Sequence, residues 1–318
     1  MYNASSYIKR CLDSCLNQNL NEEDLEIVVV NDGSKDNCAE IVETYQQSHS
    51  NIHLFHQDNA GAGMARNKGL FNAHGKYVMF VDSDDYLISH TVYKILQQCE
   101  KLDLDLCKYQ LRCIYLKTGE IVDRRPPVDT KIIFSGEELL CNPNVPLDSA
   151  CASLYKHDFL IDNGLSFSGQ TSSEDVAFNT RLYPKAKRIM FSELLVYVYE
   201  VRVGSRRHSE DLQSIKKYTL NNIKNAGLVK SVIQQNPQLS DYSKLNLRKR
   251  ANSMMIGELI SMFHNRHILS TNFIEEALSL ATREGVYPIN GHTFSWKTSL
   301  LIPFINCKSL YKNFFNRA

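Results

Sequence analysis

The sequence predicts an α/β protein: a mostly parallel sheet flanked by helices over residues 1–210, then a basic helical region over 211–318. Three observations lead there. Two apolar runs, Glu26–Asn31 and Tyr77–Val81, read as strands buried on both faces. Segments of helical period alternate with strands through the first hundred residues, the pattern of a parallel sheet with helices on both faces. After Asp211 only helical periodicity remains, at roughly 211–235, 241–264 and 271–283.

The elements follow in order. Ile8, Cys11, Leu12, Cys15 and Leu16 form one apolar stripe, with Ser5 or Ser6 available as the cap of that first helix. The strand Glu26–Asn31 runs into Asp32-Gly33-Ser34, and Ser34 or Asp36 can cap a helix over 37–47. A short strand at 52–56 precedes Asn59–Gly69, a glycine-bearing loop entering a helix. Such a loop offers backbone N–H groups to a phosphate or carboxylate, and it equally suits a plain tight turn. It matches neither G-x-G-x-x-G nor a P-loop. The strand Tyr77–Val81 comes next, then a helix at 89–101, a strand at 104–115 and a hairpin turn at Lys117–Glu120. Loops at 124–127 and 142–146 bracket a helix at 136–141. A strand at 150–155, a helix at 156–163 and a strand at 194–199 complete the first part. Ser172-Ser173 ahead of Glu174-Asp175 reads as a serine cap with an acidic first turn.

Composition narrows the function. The 318 residues are 43% hydrophobic and 22% charged, which suits a packed core, and the net charge of +1 argues against a nucleic-acid binder driven by bulk charge. The charge is unevenly placed. Residues 1–210 hold 22 Lys and Arg against 29 Asp and Glu, and residues 211–318 hold 14 against 6. A basic appendage of that kind suits an anionic lipid surface or another acidic partner. Nine cysteines include no C-x-x-C pair, so Cys11 and Cys15 are expected as free thiols on an apolar helix face. No signal peptide and no bilayer-length apolar run is present, and the expected location is cytoplasmic.

The chemistry centres on Tyr77–Tyr86, where an apolar strand ends in Asp82-Ser83-Asp84-Asp85. In open α/β sheets ligands bind at the carboxyl ends of strands. Three carboxylates this close repel, and a hard divalent cation that shares its oxygen ligands with a substrate phosphate relieves that. The same residues could instead cap a helix.

Together the motifs Tyr2-Asn3, Val30-Asn-Asp-Gly-Ser34, Asn59-x-Gly-x-x-x-Ala-Arg-Asn-x-Gly69, Phe80-Val-Asp-Ser-Asp-Asp85 and Glu174-Asp175, in this order, resemble the family 2 glycosyltransferases over residues 1–205. The resemblance implies a GT-A fold: a nucleotide-sugar-binding sheet flanked by helices. It also implies a metal-assisted, inverting transfer from a nucleotide-sugar donor, with Mn²⁺ or Mg²⁺, to a glycan or lipid-linked acceptor in bacterial surface-polysaccharide assembly. By that resemblance Tyr2 packs on the donor base, Asp32 accepts from uracil, and Arg66 and Ser83 lie beside the nucleotide. Asp84 is the metal ligand, with Asp82 as a ribose or metal contact. Asp175 is the base, oriented by Glu174. UDP is the favoured nucleotide. Asp32, Arg66, Asp82, Asp84 and Asp175 are expected to line one cleft. No nucleic-acid partner is expected, and a peripheral contact with the inner membrane surface is.

Departures fall on the acceptor side. Cys151-Ala-Ser-Leu-Tyr155 stands where many relatives have Trp-Asn-Lys-Leu-Tyr, and Glu200 where they carry a basic residue, while Arg202-x-Gly204-Ser205 is retained. His208 reads as a solvated loop histidine. Relatives also have an apolar strand before Tyr-Asn, where this sequence has only Met1. A chain shortened at its start would leave a slot between the strands at 27–30 and 77–81. A non-catalytic sugar-nucleotide-binding or scaffold protein, a truncated inactive transferase and a metal-dependent nucleotidyltransferase are the alternative readings.

Overall fold

The computed structural model describes residues 1–146, 149–169, 174–202 and 211–307. In chain order the elements are α1 (Ile8–Leu16), β1 (Ile27–Asp32), α2 (Cys38–Gln46), β2 (Ile52–Gln57), α3 (Ala62–Asn72), β3 (Tyr77–Met79), β4 (Tyr86–Leu87), α4 (Val92–Leu102), β5 (Leu106–Tyr115), β6 (Glu120–Arg124), β7 (Ile133–Phe134), α5 (Gly136–Cys141), β8 (Ser153–Lys156), α6 (His157–Asp162), α7 (Glu174–Leu182) and β9 (Ile189–Val201). The helices α8 (Leu212–Gln235), α9 (Asp241–His264), α10 (Thr271–Arg283), α11 (Trp296–Leu300) and α12 (Ile302–Asn306) follow. Residue contacts divide the chain into two compact units. One comprises Met1–Gly136, Asp148–Thr171 and Lys185–Val203, the other Glu137–Leu147, Ser172–Pro184 and Gly204–Ala318.

The first unit holds the strands. Its larger sheet runs β3-β8-β5-β9-β4, with β6 on β5 and β7 on β9. The parallel pair β5–β9 is its spine, and β8, β3 and β4 join antiparallel. The sheet is therefore mixed rather than mostly parallel: β5–β9 is its parallel pair, β5–β6 is a hairpin, and β3, β4 and β8 pair antiparallel with strands distant in sequence. Strand β3 stops at Met79, two residues short of the run expected from its apolar sequence. Its ladder with β8 spans three residues, after which Phe80 turns inward as a buried side chain. The strand expected from residue 150 begins only at Ser153, after a 3₁₀ turn over Ala150–Ala152, and β4 had no sequence signal.

Strands β1 and β2 form a separate parallel pair. Ile8, Leu12, Val29, Cys38, Val42 and Ile52 bury together there, so the stripe of α1 packs as its spacing predicts. Cys11 and Cys15 are free thiols, as expected. Neither Ser5 nor Ser6 caps α1. Its N-cap is Tyr7, without a side-chain bond, and the Ser5 N–H donates to Asp36 instead. No ladder joins β1 to β3 among the described residues. Alongside β1, the Met1 nitrogen donates to the Val30 carbonyl at 2.6 Å and the Met1 carbonyl accepts the Asp32 N–H at 2.9 Å, the pattern of one parallel bridge.

The second unit is helical. Helices α8, α9 and α10 are capped by Asp211, Ser240 and Ser270, whose side chains accept from the N–H groups of Ser214, Ser243 and Phe273. Each such cap contributes about 0.5–2 kcal/mol. Ile223, Met255, Leu259, Phe273 and Ala277 belong to one buried core. The end of α5 and the segment after it join α9 through Asn246, which donates to the Leu140 and Cys141 carbonyls, and Arg250, which donates to that of Val145. Gly227 lets α8 approach Glu284 closely: a Cβ there would lie 2.6 Å from a Glu284 carboxylate oxygen and 2.8 Å from its Cβ. No described helix is long and apolar enough to cross a membrane.

Glu258 on α9 accepts from Asn222 at 2.7 Å, and its other carboxylate oxygen is buried without a hydrogen-bond partner among the described residues. Burial pushes its pKa up to about 7, against hydrogen bonds from Asn222 and Thr219. The folded state then keeps a proton that the unfolded chain releases near the ordinary glutamate value. Stability is full below that value and falls as pH rises toward 7. We predict that chemical unfolding shows a loss on the order of 1–3 kcal/mol between pH 4.5 and 8 from this group. Glu258→Gln should remove that part of the pH dependence, and an unchanged profile would refute the assignment.

Candidate active site

The site is built on the ends of β1 and β3. At the end of β1, Asn31 accepts the Ser34 N–H at 3.0 Å, and Gly33 takes φ +72°. A Cβ on Gly33 would lie 2.9 Å from the Asn59 nitrogen, so glycine is required both by conformation and by space. Asn3 fastens the chain before α1 to this turn, accepting the Lys35 N–H at 2.9 Å while its own N–H donates to Ser34. Tyr2 beside it is exposed.

Asp32 is buried, and its carboxylate organises the glycine loop. One oxygen accepts from Gln57 at 2.7 Å and the Ala60 N–H at 2.8 Å, the other from the Gly61 N–H at 2.9 Å. Gly61 is the N-cap of α3, so Asp32 sets where that helix begins. One turn into α3, Arg66 donates to Asp82 at 2.6 Å and lies over the Phe167 ring at 5.3 Å. Phe167 is held in turn by Asn67, which bonds both its N–H and its carbonyl.

Beyond β3, Asp82–Asp85 close a tight turn, with the Asp85 N–H donating to the Asp82 carbonyl at 3.0 Å. The three carboxylates meet different surroundings. Burial works to raise the pKa of Asp82, but the Arg66 charge and hydrogen bond, with a bond from the Cys151 thiol, outweigh it and hold Asp82 below the ordinary value. Asp85 is buried, and burial first, then the charges of Asp82 and Asp84, push it up to about 8. Both influences favour the protonated form of Asp85. Tyr197 bridges the two: it accepts the Asp82 N–H at 3.1 Å and donates to Asp85 at 2.7 Å. The Asp84 carboxylate is 48% exposed, with Arg202 at 3.6 Å.

Two arginines grip the turn through its backbone. Arg202 and Arg10 both donate to the Asp84 carbonyl, at 2.6 and 3.1 Å. Arg10 is held in a two-point ion pair by Glu200, at 2.6 and 2.9 Å, and lies over the Tyr86 ring. Arg202 stacks on Tyr7 at 3.5 Å. Arg10, Tyr197 and Cys151 were not read as site residues from the sequence. The signal for Arg10 was the acidic Glu200, which pairs with it.

Among the described residues no group of three or more His, Cys, Asp or Glu could by itself hold a metal ion. The oxygen donor of Asp84 is of the kind a hard cation takes when a substrate phosphate completes its shell. Glu174 and Asp175 open α7 in the second unit, an acidic first turn as the sequence predicts. Ser172, Ser173, Gly204, Ser205 and His208 lie outside the described residues.

The sequence model of glycosyl transferase family 2 matches residues 1–164. The chain belongs to that family. A glycosyltransferase of Escherichia coli K12, YibD, is 30% identical over 207 residues, covering 63% of this chain and 59% of that protein. EpsJ of Bacillus subtilis is 31% identical over 217 residues, 64% of this chain and 60% of that protein. The chain thus matches about 60% of the length of these family 2 relatives. The structure of Staphylococcus aureus TarS residues 1–349 in complex with UDP-GlcNAc superposes with a TM-score of 0.71 at 20% identity, covering 99% of this chain and 88% of that one. The fold is the expected GT-A fold with C-terminal helices.

Tyr197→Phe should leave both the Asp82 N–H and the Asp85 acid without their buried partner. We predict a loss of about 1–3 kcal/mol in unfolding free energy. Urea titration of the two proteins checks this, and equal midpoints would show that the bridge contributes nothing.

Proposed function

We propose that the protein is an inverting transferase that moves a sugar from a UDP-sugar to a hydroxyl on a glycan or lipid-linked acceptor. The observation that carries the reading is the acidic turn after β3, where the Asp84 carboxylate, 48% exposed, lies 3.6 Å from Arg202 and Asp82 is paired with Arg66. Asp84 is the group suited to a divalent ion, Mn²⁺ or Mg²⁺, with Asp82 beside it. Such an ion, when bound, neutralises the charge of a departing nucleoside diphosphate.

The chain's own groups have distinct tasks in this reading. A carboxylate has about four lone-pair sites; on Asp32 the glycine loop takes two and Gln57 on β2 a third. The remaining one suits a uracil imide N–H, with Tyr2 stacking on the base. Arg66 and Ser83 lie on the nucleotide side. Asp175, oriented by Glu174, takes the proton of the acceptor hydroxyl as it attacks, the task of a general base. Residues 1–210 would carry this chemistry and 211–318 would be the basic helical appendage. TarS, crystallised with UDP-GlcNAc, supports the donor class. A relative named poly(ribitol-phosphate) beta-glucosyltransferase, from Bacillus spizizenii and 30% identical over 214 residues, supports a polymeric acceptor. We place the reaction on the cytoplasmic face of the membrane, where lipid-linked acceptors are met.

With Mn²⁺ and a panel of UDP-sugars, UDP release is expected from one of them. Asp84→Ala should abolish it, and Asp175→Asn should lower the rate about 10²–10⁴-fold without a change in melting temperature. Release of pyrophosphate would replace this reading with nucleotidyl transfer. Absence of donor-dependent thermal stabilisation for every UDP-sugar would remove the donor class.

A further inference from the structure

We propose that the outer face of α11 and α12 docks on an anionic lipid surface. The inference does not depend on the catalytic reading, because it rests on a different part of the chain.

Helix α12 is fixed on its inner side. Ile302 and Ile305 are buried in the helical core, and the Tyr287 hydroxyl donates to the Ile305 carbonyl at 3.0 Å. Asn306 both accepts the Ile289 N–H and donates to the Ile289 carbonyl, each at 2.8 Å. Ahead of α11, the Thr293 N–H donates to Ser299 and the Thr293 hydroxyl to the Ser295 carbonyl. The outward side chains are therefore presented by anchored backbone rather than by a frayed end.

Those outward side chains are large and apolar. Trp296 is 70% exposed, Leu300 69%, Leu301 42% and Phe304 39%. Scattered apolar residues on a surface need no explanation, but four within nine positions of one anchored segment mark an interaction face. Its charge names the partner. No Asp or Glu follows Glu284 in the sequence. Lys297 is exposed with its ammonium 5.9 Å from the Trp296 ring, and the Arg250 guanidinium lies 5.7 Å from the ring of Phe294. Aromatic and aliphatic groups flanked by cations, without anions, fit the boundary between acyl chains and anionic headgroups. A second copy of this chain fits less well, since a two-fold contact would set the same cationic, acid-free segment against itself.

Trp296 is the only tryptophan, so intrinsic fluorescence reads this face directly. The full chain is mixed at low salt with phosphatidylcholine vesicles, with and without phosphatidylglycerol. The expected result is a blue shift and protection from acrylamide with the phosphatidylglycerol vesicles only, together with co-sedimentation. Leu300→Asp and Lys297→Glu keep the probe and replace exposed residues. Each should weaken vesicle binding about tenfold or more at an unchanged melting temperature. Three results would overturn the proposal. One is no shift and no co-sedimentation with phosphatidylglycerol at low salt. Another is a blue shift without vesicles that grows with protein concentration and accompanies a dimeric mass, which would assign the face to a second copy. The third is a blue, shielded Trp296 in the free monomer, which would show that the chain covers it.

Discussion

The carboxylates of Asp82, Asp84 and Asp85 stand within four consecutive residues at the end of β3, and the first unit is arranged around separating their charges. Two unit charges 4 Å apart repel by about 4 kcal/mol at the effective dielectric near a protein surface. The protein answers each charge differently. Arg66 pairs with Asp82, burial and its neighbours raise the pKa of Asp85, and Asp84, about half exposed, faces Arg202. Tyr197, from the long strand β9, ties the first two outcomes together through one hydroxyl. The result is a turn with two ionised carboxylates, Asp82 and Asp84, each facing an arginine, beside a third acid buried against Tyr197.

The same constraint explains the parts of the site that depart from the family's sequence pattern. Glu200 is acidic, yet positive charge is present at the turn because Arg10 reaches over from α1 and Glu200 fixes it at two points. An exposed ion pair is worth little to stability by itself. Here its value is geometric, since Arg10 and Arg202 together direct two guanidinium groups at the Asp84 carbonyl. Cys151, standing where many relatives have tryptophan, donates a hydrogen bond to Asp82. Asp32 plays a comparable role one strand away: by gathering the Ala60 and Gly61 N–H groups it starts α3 and so places Arg66. The two carboxylate positions are coupled through that helix.

Local signals account for what was legible in advance. The boundaries of α8, α9 and α10 could be read almost to the residue, because each begins at a side chain able to cap it and each carries a helical apolar stripe. The strand at β1, the glycine loop and the acidic turn after β3 were legible for the same reason: turn chemistry and apolar runs act over a few residues. The Ser5 and Ser6 caps failed because α1 starts at Ile8 with Tyr7 as its N-cap, one position beyond the nearer serine. The full length of the strand at Tyr77 failed because its partner β8 is short.

By itself, then, the sequence determined the order and type of most elements and the identity of the carboxylates at the strand ends, since these follow from short-range spacing and steric preference. Tertiary structure decided the rest. Pairing of strands distant in sequence made the sheet mixed and put Tyr197 under Asp82 and Asp85. Helix packing brought the 137–147 segment among α8–α12, a grouping with no local signal. It also set how three adjacent acids ionise, because that depends on burial and on cations brought from α1, α3 and the residue after β9, groups up to 118 residues away along the chain.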